Sequence, residues 1–462
     1  MRPVTGMSGK TGKLARLPIA LTSTSHPARL WSPGEGGRVT CHLSPRECNI
    51  PPGGLGFCGV RHNDGGRLVT LNYGKSVAMT RESIESEAVY HYAPGEPILS
   101  LGNIGCMMAC DYCHNWQTSQ ARLAKDADIR AYTSEEIVAY AVRHGIRVLS
   151  WTYNDPVVWQ EFVVDTARLA RSRGLVNLYK SAFYIGPRAV DELLEVMDIF
   201  SLSLKSMDPE FYRKHTKGRL EPVLAAIEQV HAAPQRPHLE ISNLCVTGRN
   251  DNLSDARQIA AWMLERLGPD VPLHYVRFHP DFKYTEVERT SIPFLEEARR
   301  QALAMGVRHV YVGNVPDTDS ASTRCACGEL LVERRGTAAR RFLAGGTCPA
   351  CGARSSLVLP WPERAAPATG GLAGRAHATF WFRAGVQAFH VEQDGEDEIH
   401  FQLVDGEGSS VGALDSASCT RFLIANSAAG ARGVRVYHPP ARPPRVLVVL
   451  DRAHFPTGDA LR

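Results

Sequence analysis

Three cysteines within eight residues constrain this chain more than any other feature: Cys106, Cys110 and Cys113, in Gly105-Cys106-Met-Met-Ala-Cys110-Asp-Tyr112-Cys113-His114-Asn115-Trp116. The C-x3-C-x2-C spacing brings three soft thiolates to one point of the chain, and soft thiolates suit an iron–sulfur cluster. A four-iron cube needs four ligands. Three local cysteines leave one iron open to a ligand that is not protein, just as a catalytic zinc keeps an open position and a structural zinc does not. The competing reading is a zinc loop or a set of buried free thiols, but zinc knuckles are normally C-x2-C pairs that come in twos.

The chain has 462 residues, enough for more than one domain, and 44% hydrophobic content, normal for a globular protein. A net charge of +4 leaves no nucleic-acid footprint. No run approaches the roughly 18 apolar residues of a membrane span. Most of the 12 cysteines sit in short-spaced groups typical of metal binding rather than disulfides, and metal thiolates point to a reducing cytoplasm.

Residues 1–37, rich in Ser, Thr, Pro, Gly and basic side chains, read as a disordered tail. Residues 38–75 form a Cys-rich segment with Cys41, Cys48 and Cys58. From about 97 to 315 short apolar runs alternate with amphipathic ones. Strands are expected at Pro97–Leu101, Arg147–Tyr153, Val176–Ser181, Ile199–Lys205, Leu239–Cys245, Leu273–His279 and Arg308–Val312. A helix is expected to start at the capping box Thr133-Ser-Glu-Glu136 and stop at Gly145, and another to run from Ser254 to Leu267. Repeating strand–helix units imply a parallel α/β sheet or barrel, with function at the C-terminal strand ends. Residues 318–358 carry Cys325-Ala-Cys327 and Cys348-Pro-Ala-Cys351, read as a zinc-ribbon-like segment, the alternative being reduced free cysteines. A Pro/Ala/Gly-rich linker, 359–374, precedes a small β-rich C-terminal domain, 375–462, of no assigned role. Cys245 and Cys419 are isolated and read as small buried apolar residues.

The match to known sequences is wider than the cysteine loop. Phe57-Cys58-Gly59-Val60-Arg61-x-Asn63, Cys113-x-Asn115-Trp116-Gln-x-Ser119-Gln120 and Thr152-Tyr153-Asn154-Asp155-Pro156 are followed by Ser203-Leu-Lys205, Leu273-His274-x-x-Arg277-Phe278-His279-Pro280 and Val310-Tyr311-Val312-Gly313-Asn314-Val315. In order and spacing, the stretch 38–352 resembles the radical SAM enzyme of the AmmeMemoRadiSam system, and it is similar to the activating enzymes of pyruvate formate-lyase and other glycyl radical enzymes. The resemblance implies a partial (β/α)6 TIM-like barrel over residues 76–317. It implies a [4Fe–4S] cluster on Cys106, Cys110 and Cys113, with S-adenosylmethionine (SAM) on the open iron. It also implies one-electron cleavage of SAM to a 5′-deoxyadenosyl radical that abstracts hydrogen from a substrate. Tyr112 would lie near the adenine, and Asn154, Asp155 and Pro156 would receive the SAM amino group. Asn, Asp and Pro also form ordinary turns.

Other residues leave alternatives open. Lys205 and Glu240 are ionisable groups in strand patterns, costly to bury unless paired. They would bind SAM or substrate, or form a buried Lys–Glu pair, or face solvent. Strand alternation puts Arg277 and His279 on one face and His274 on the other. Cys325, Cys327, Cys348 and Cys351 would hold a structural zinc. Three departures from the family pattern stand out. Ser44 replaces a cysteine of C-x2-C-P-x2-C, with His42 as a candidate substitute; Cys325/Cys327 is C-x-C; and Ser181-Ala-Phe-Tyr184 replaces Thr-Asn-Gly.

The expected function is a cytoplasmic radical SAM enzyme, fed by an electron donor such as flavodoxin or ferredoxin and acting on a protein or peptide substrate. The alternatives are a glycyl radical enzyme activase and, from another class, a non-catalytic zinc-binding scaffold.

Overall fold

The computed structural model describes residues 2–3, 14–315, 319–343 and 345–362, and beyond them the strands between 376 and 449. The chain divides into two compact units: Met1–Asn314 with Ser320–Glu333 and Arg340–Pro360, and Val315–Asp319 with Arg334–Ala339 and Trp361–Arg462.

The first unit is built on an eight-stranded sheet. Its strands are β1 (Ala78–Ser83), β2 (Pro97–Gly102), β3 (Val148–Thr152), β4 (Val176–Ser181), β5 (Ile199–Ser203), β6 (His238–Cys245), β7 (Leu273–Arg277) and β8 (Val310–Gly313). They lie in chain order; β2 to β8 are parallel and β1 is an antiparallel edge. The sheet is open, with β1 and β8 at its two edges. Helices α1 (Ser134–Arg143), α2 (Gln160–Ser172), α3 (Pro187–Leu194), α4 (Glu221–His231), α5 (Leu253–Arg266) and α6 (Ile292–Met305) fill the six crossovers. The capping box at Thr133 forms: its hydroxyl accepts from Glu136 N, and the Glu136 carboxylate accepts from Thr133 N. The expected start at Ser254 shifts slightly, because the Asn252 side chain caps α5 by accepting from Asp255 N.

Strand alternation gives the sheet two unlike faces. One carries Trp151, Tyr179 and Phe200 against the helices, where Trp151 meets Trp159 and Phe162, and Tyr179 meets Phe183. The other is polar. Ser100, Ser150 and Thr152 donate to Glu87 at 3.2, 2.9 and 2.8 Å, and Lys180 donates to Ser201 and Ser242 at 3.0 and 3.1 Å. Below them Glu240 accepts from Tyr90 N and His91 N and meets His238 and His274 at 2.8 and 2.6 Å. Barrel interiors are ordinarily filled by bulky branched residues; here this face carries hydrogen-bonded serines, a lysine and a carboxylate.

The expected disordered tail is corrected from residue 14 onward. Thr24–Pro27 pairs with Arg67–Thr70, and Trp31–Pro33 pairs with Val39–Cys41. The Lys75 ammonium donates to Leu21 O and Thr24 O, and Leu21 is fully buried. These long-range ties are invisible to composition, which sees only turn-forming residues. Arg61 and Glu161 lock the N-terminal segment to α2 through two parallel bonds of 2.7 Å, both side chains nearly inaccessible. Of the expected linker 359–374, residues from 363 on lie outside the described residues. The C-terminal strands pair antiparallel in two sheets, one from Ala376–Trp381, Gly433–His438, Ile399–Val404 and Asp415–Ala417, the other from Arg421–Ala425, Ala388–Glu392 and Arg445–Val449.

Burial alone would raise the Glu161 pKa, but the Arg61 guanidinium outweighs it and holds the carboxyl below its ordinary value. Its contribution to stability is therefore complete above the ordinary carboxylate range and is lost as pH falls through it. Glu161→Ala strands Arg61 and should cost about 3–5 kcal/mol, read as a lower urea midpoint at neutral pH and a smaller difference from wild type in acid.

Candidate functional site at the strand ends

The C-terminal end of β2 runs into the loop that carries Cys106, Cys110 and Cys113. This loop has almost no regular structure, so its backbone polar groups need partners from elsewhere. Asparagines provide many of them. Asn72 donates to Ile104 O at 3.1 Å, Asn154 to Gly105 O at 2.7 Å, Asn115 to Tyr153 O at 2.5 Å and Asn103 to Asp155 O at 3.1 Å. The last three join the cysteine loop to the turn after β3 in both directions. Tyr153 holds a left-handed backbone, φ 70°, and its hydroxyl is bonded to Glu82 and Thr80. The far side of the loop rests on a single π-helical turn, Tyr212–Thr216: Ala109 N donates to Thr216 O at 2.9 Å and Asp111 N to His215 O at 3.1 Å. A third support comes after β7. His114 stacks on His279 at 3.7 Å, Trp116 stacks on Phe282, and Lys283 N donates to Asp111 O.

Gly105, at φ 93°, is the tightest point. A Cβ there would stand 2.8 Å from Cys58 O, so the N-terminal segment is packed onto the backbone just before Cys106.

Burial raises the Cys106 thiol well above its usual value and pushes Cys110 up to about 11, against the opposing pull of Lys205. The pocket therefore disfavours bare thiolates and suits them only beside compensating positive charge, such as a metal supplies. Asp155 is fully buried, and burial raises it to about 6. Its Oδ1 accepts from Val157 N and from the Ser181 hydroxyl at 2.9 Å. Its Oδ2, and the Oδ1 of Asn154, are buried with no protein partner. Two orphaned acceptors beside Cys106, whose thiol the Asp155 charge also pushes up, fit a ligand that brings a cationic donor. Ser181, in the departing Ser-Ala-Phe-Tyr stretch, thus supports Asp155 directly.

Lys205 lies with its ammonium 5.9 Å from the centre of the Tyr112 ring, and Tyr112 is buried beside Cys110. The structure overturns a Lys205–Glu240 pair: Glu240 is held by its two histidines and two backbone amides. Arg277 donates to Thr290 O and His279 stacks on His114, so neither is presented as a free group. His42 is not a spare ligand, because Nε2 meets the Ser32 hydroxyl and Nδ1 meets Glu47.

A second cysteine group lies in the same unit. The sulfurs of Cys325, Cys327, Cys348 and Cys351 are all within 4.8 Å of one another, so the short C-x-C spacing does not keep them apart. Turns closed by Gly328 N to Cys325 O and Gly352 N to Cys348 O shape the two halves.

Sequence reasoning missed the asparagines as fasteners. Asn115 stood inside a quoted motif without a role, and Asn72 and Asn103 carried no signal of their own. Lys180 and the serines facing it were legible only as strand alternation.

The sequence profile of the radical SAM superfamily matches residues 103–263, from the first residue after β2 into α5. An uncharacterized protein of Methanocaldococcus jannaschii is 36% identical over 329 residues, covering 70% of this chain and 97% of that protein. The pyruvate formate-lyase 1-activating enzyme of Escherichia coli is 29% identical over 115 residues, 24% of this chain and 46% of the enzyme, so the match spans less than half of that relative. A radical SAM methyltransferase from Sphaerobacter thermophilus superposes with a TM-score of 0.39 at 17% identity, over 51% of this chain and 71% of that one. The profile match places residues 103–263 in the radical SAM superfamily, a family that implies SAM and an iron–sulfur cluster. Among the described residues no helix is long and apolar enough to cross a membrane.

Asn154→Ala would leave the Gly105 carbonyl without its donor, a loss of about 1–3 kcal/mol. Amide exchange across residues 104–116 should accelerate roughly tenfold to a hundredfold, with the circular dichroism spectrum unchanged.

Proposed function

We propose that this chain is a radical SAM enzyme of the AmmeMemoRadiSam type, in which Cys106, Cys110 and Cys113 ligate a [4Fe–4S] cluster and SAM occupies the open iron. The observation that carries the reading is the pair of buried, unpartnered oxygens, Asp155 Oδ2 and Asn154 Oδ1, fastened to the cysteine loop. When bound, the cluster and SAM together supply one-electron cleavage of the sulfonium and a 5′-deoxyadenosyl radical for hydrogen abstraction. The protein's part is ligation, orientation and exclusion of water. Asp155, with the Asn154-Asp155-Pro156 turn, receives the SAM amino group. Lys205 faces its carboxylate, and Tyr112 lies toward the adenine.

The substrate in this reading is a protein or peptide reaching the polar face of the sheet. Ser201, Ser203, Ser242 and Lys180 there suit a polar chain segment better than a hydrocarbon. An electron donor such as flavodoxin or ferredoxin supplies the electron. The second reading, a glycyl radical enzyme activase, is favoured by the similarity to pyruvate formate-lyase 1-activating enzyme. It predicts a glycyl radical signal in a partner protein. In both readings Cys325, Cys327, Cys348 and Cys351 hold a structural zinc. The non-catalytic zinc scaffold has no use for the orphaned oxygens beside Cys106.

After anaerobic reconstitution with iron and sulfide, reduction and addition of SAM, wild type should release 5′-deoxyadenosine and Cys110→Ala should not. Equal behaviour of the two would sink the enzyme reading. Asp155→Asn should weaken SAM binding by roughly ten- to a hundredfold, from the loss of about 1.5–3 kcal/mol of charge-assisted hydrogen bonding. Metal analysis of protein purified without iron should find zinc in wild type and a loss of it in Cys348→Ser.

A further inference from the structure

We propose that Lys180 anchors a carboxylate of the substrate on the polar face of the sheet, so that the peptide taken here is one presenting an acidic side chain or its own C-terminus. The inference rests on the radical SAM reading and adds to it the chemistry by which the substrate is held.

Lys180 lies near the end of β4, one residue before Ser181, whose hydroxyl donates to Asp155. Alternation turns it to the polar face, while Tyr179 packs against Phe183 and Phe200 on the other. Lys205, which acts electrostatically on Cys110 and Asp155, acts on Lys180 as well, so the four groups share one neighbourhood.

An ammonium has three donors. Two of those of Lys180 go to the Ser201 and Ser242 hydroxyls, at 3.0 and 3.1 Å. These hydroxyls are themselves fixed: Ser201 donates to Glu87 O at 2.6 Å, and Ser242 meets Ser203 at 3.1 Å. Both partners are neutral, and no carboxylate among the described residues pairs with Lys180. The acids of this face are engaged elsewhere. Glu87, whose charge acts most on Lys180, accepts from Ser100, Ser150 and Thr152, and Glu240 is held by two amides and two histidines. Burial lowers the Lys180 pKa to about 8, with Glu87 opposing the effect and Lys205 adding to it. The group is still a cation at neutral pH. A cation held in a protein by hydroxyls alone gains more from an anion than one in open water does. One ammonium among hydroxyls matches one negative charge, which favours a carboxylate over a phosphate carrying nearly two.

Solvent reaches this lysine. Lys180 is half-buried, although Tyr179 and Ser181 on either side of it are buried. Ser203, Leu244 and Val276 on the following strands are half-buried too, while Ser242 and His274, each two residues earlier than Leu244 and Val276, are buried. Exposure on this face therefore declines from the strand ends inward, with Lys180 among the groups still accessible. Leu244 and Val276 sit directly opposite each other in the register and offer an apolar border for the methylene groups of an acidic side chain.

The test uses the full chain and three peptides: acetyl-Gly-Glu-Gly-amide, acetyl-Gly-Gln-Gly-amide, and acetyl-Gly-Gly-Gly with a free C-terminal carboxylate. Trace labelling of wild type with acetic anhydride across a pH series, read by peptide mass spectrometry, reports how reactive Lys180 is. The expected profile has its midpoint near about 8, below that of the exposed lysines. A carboxylate peptide should protect Lys180 and move the midpoint upward, because a bound anion favours the charged form; the glutamine peptide should do neither. Protection by the glutamate peptide assigns the site to a side chain, and protection by the free-terminus peptide assigns it to a C-terminus. In calorimetry, Lys180→Met should weaken the protecting peptide roughly tenfold or more, and Lys180→Arg, which keeps the charge, should retain part of the affinity. A lysine that serves only as a countercharge to Glu87 would show no protection. That result, equal protection by the glutamine and glutamate peptides, or equal affinity of wild type and Lys180→Met would overturn the proposal. None of these measurements needs a cluster, so a chain that takes up no iron and sulfide overturns the radical SAM reading and leaves the peptides to decide Lys180.

Discussion

An irregular loop buried at the end of a sheet has one overriding problem: its carbonyl groups have lost water and have no ladder to join. The structure answers with asparagine amides, which donate from one loop into the backbone of its neighbour. Asn154 reaches back to Gly105, while Asn103 and Asn115 reach forward to Asp155 and Tyr153. The cysteine loop and the Asn-Asp-Pro turn therefore form one object, and the spacing between the thiols and the Asp155 carboxylate is set by hydrogen bonds rather than by packing alone. The left-handed Tyr153 fits this account, because its hydroxyl is bonded at Glu82 and Thr80 and the surrounding structure over-determines a backbone that would otherwise be costly.

Below that assembly the sheet uses its polar face in two ways. Near the middle, Lys180 donates to Ser201 and Ser242 across neighbouring strands. Lower down, Glu240 accepts from two backbone amides and meets His238 and His274. Burial alone would raise the Glu240 pKa, but hydrogen bonds and charge from His238 and His274 hold it well below its usual value.

Much of this was legible in the chain. All seven parallel strands fall at the expected short runs, because their β-branched, aliphatic and aromatic residues set them apart from the amphipathic helices between them. The capping box at Thr133 was readable because its two bonds are local. The cysteine loop stood out because its spacing is chemical. Illegible were the contacts that span great sequence distance: Lys75 onto Leu21, Arg61 onto Glu161, and Asn72 onto Ile104. These turned a Ser- and Pro-rich beginning, read as a tail, into ordered chain from residue 14. Glu240 was left between ligand binding, a pair with Lys205 and a solvent-facing position, because periodicity could not say that its partners are His238 and His274.

The close approach of Cys58 to Gly105 has a consequence for how the protein comes into being. Chains fold as they leave the ribosome, N-terminal parts first. The segment bearing Cys58, Arg46 and Arg61 emerges before the cysteine loop and can collapse ahead of it, but Arg61 finds Glu161 only once α2 has been made. The loop is thus born between a surface already waiting and a clamp not yet closed. That interval, while the loop has its backing but α2 is still unmade, is when its thiols are least enclosed.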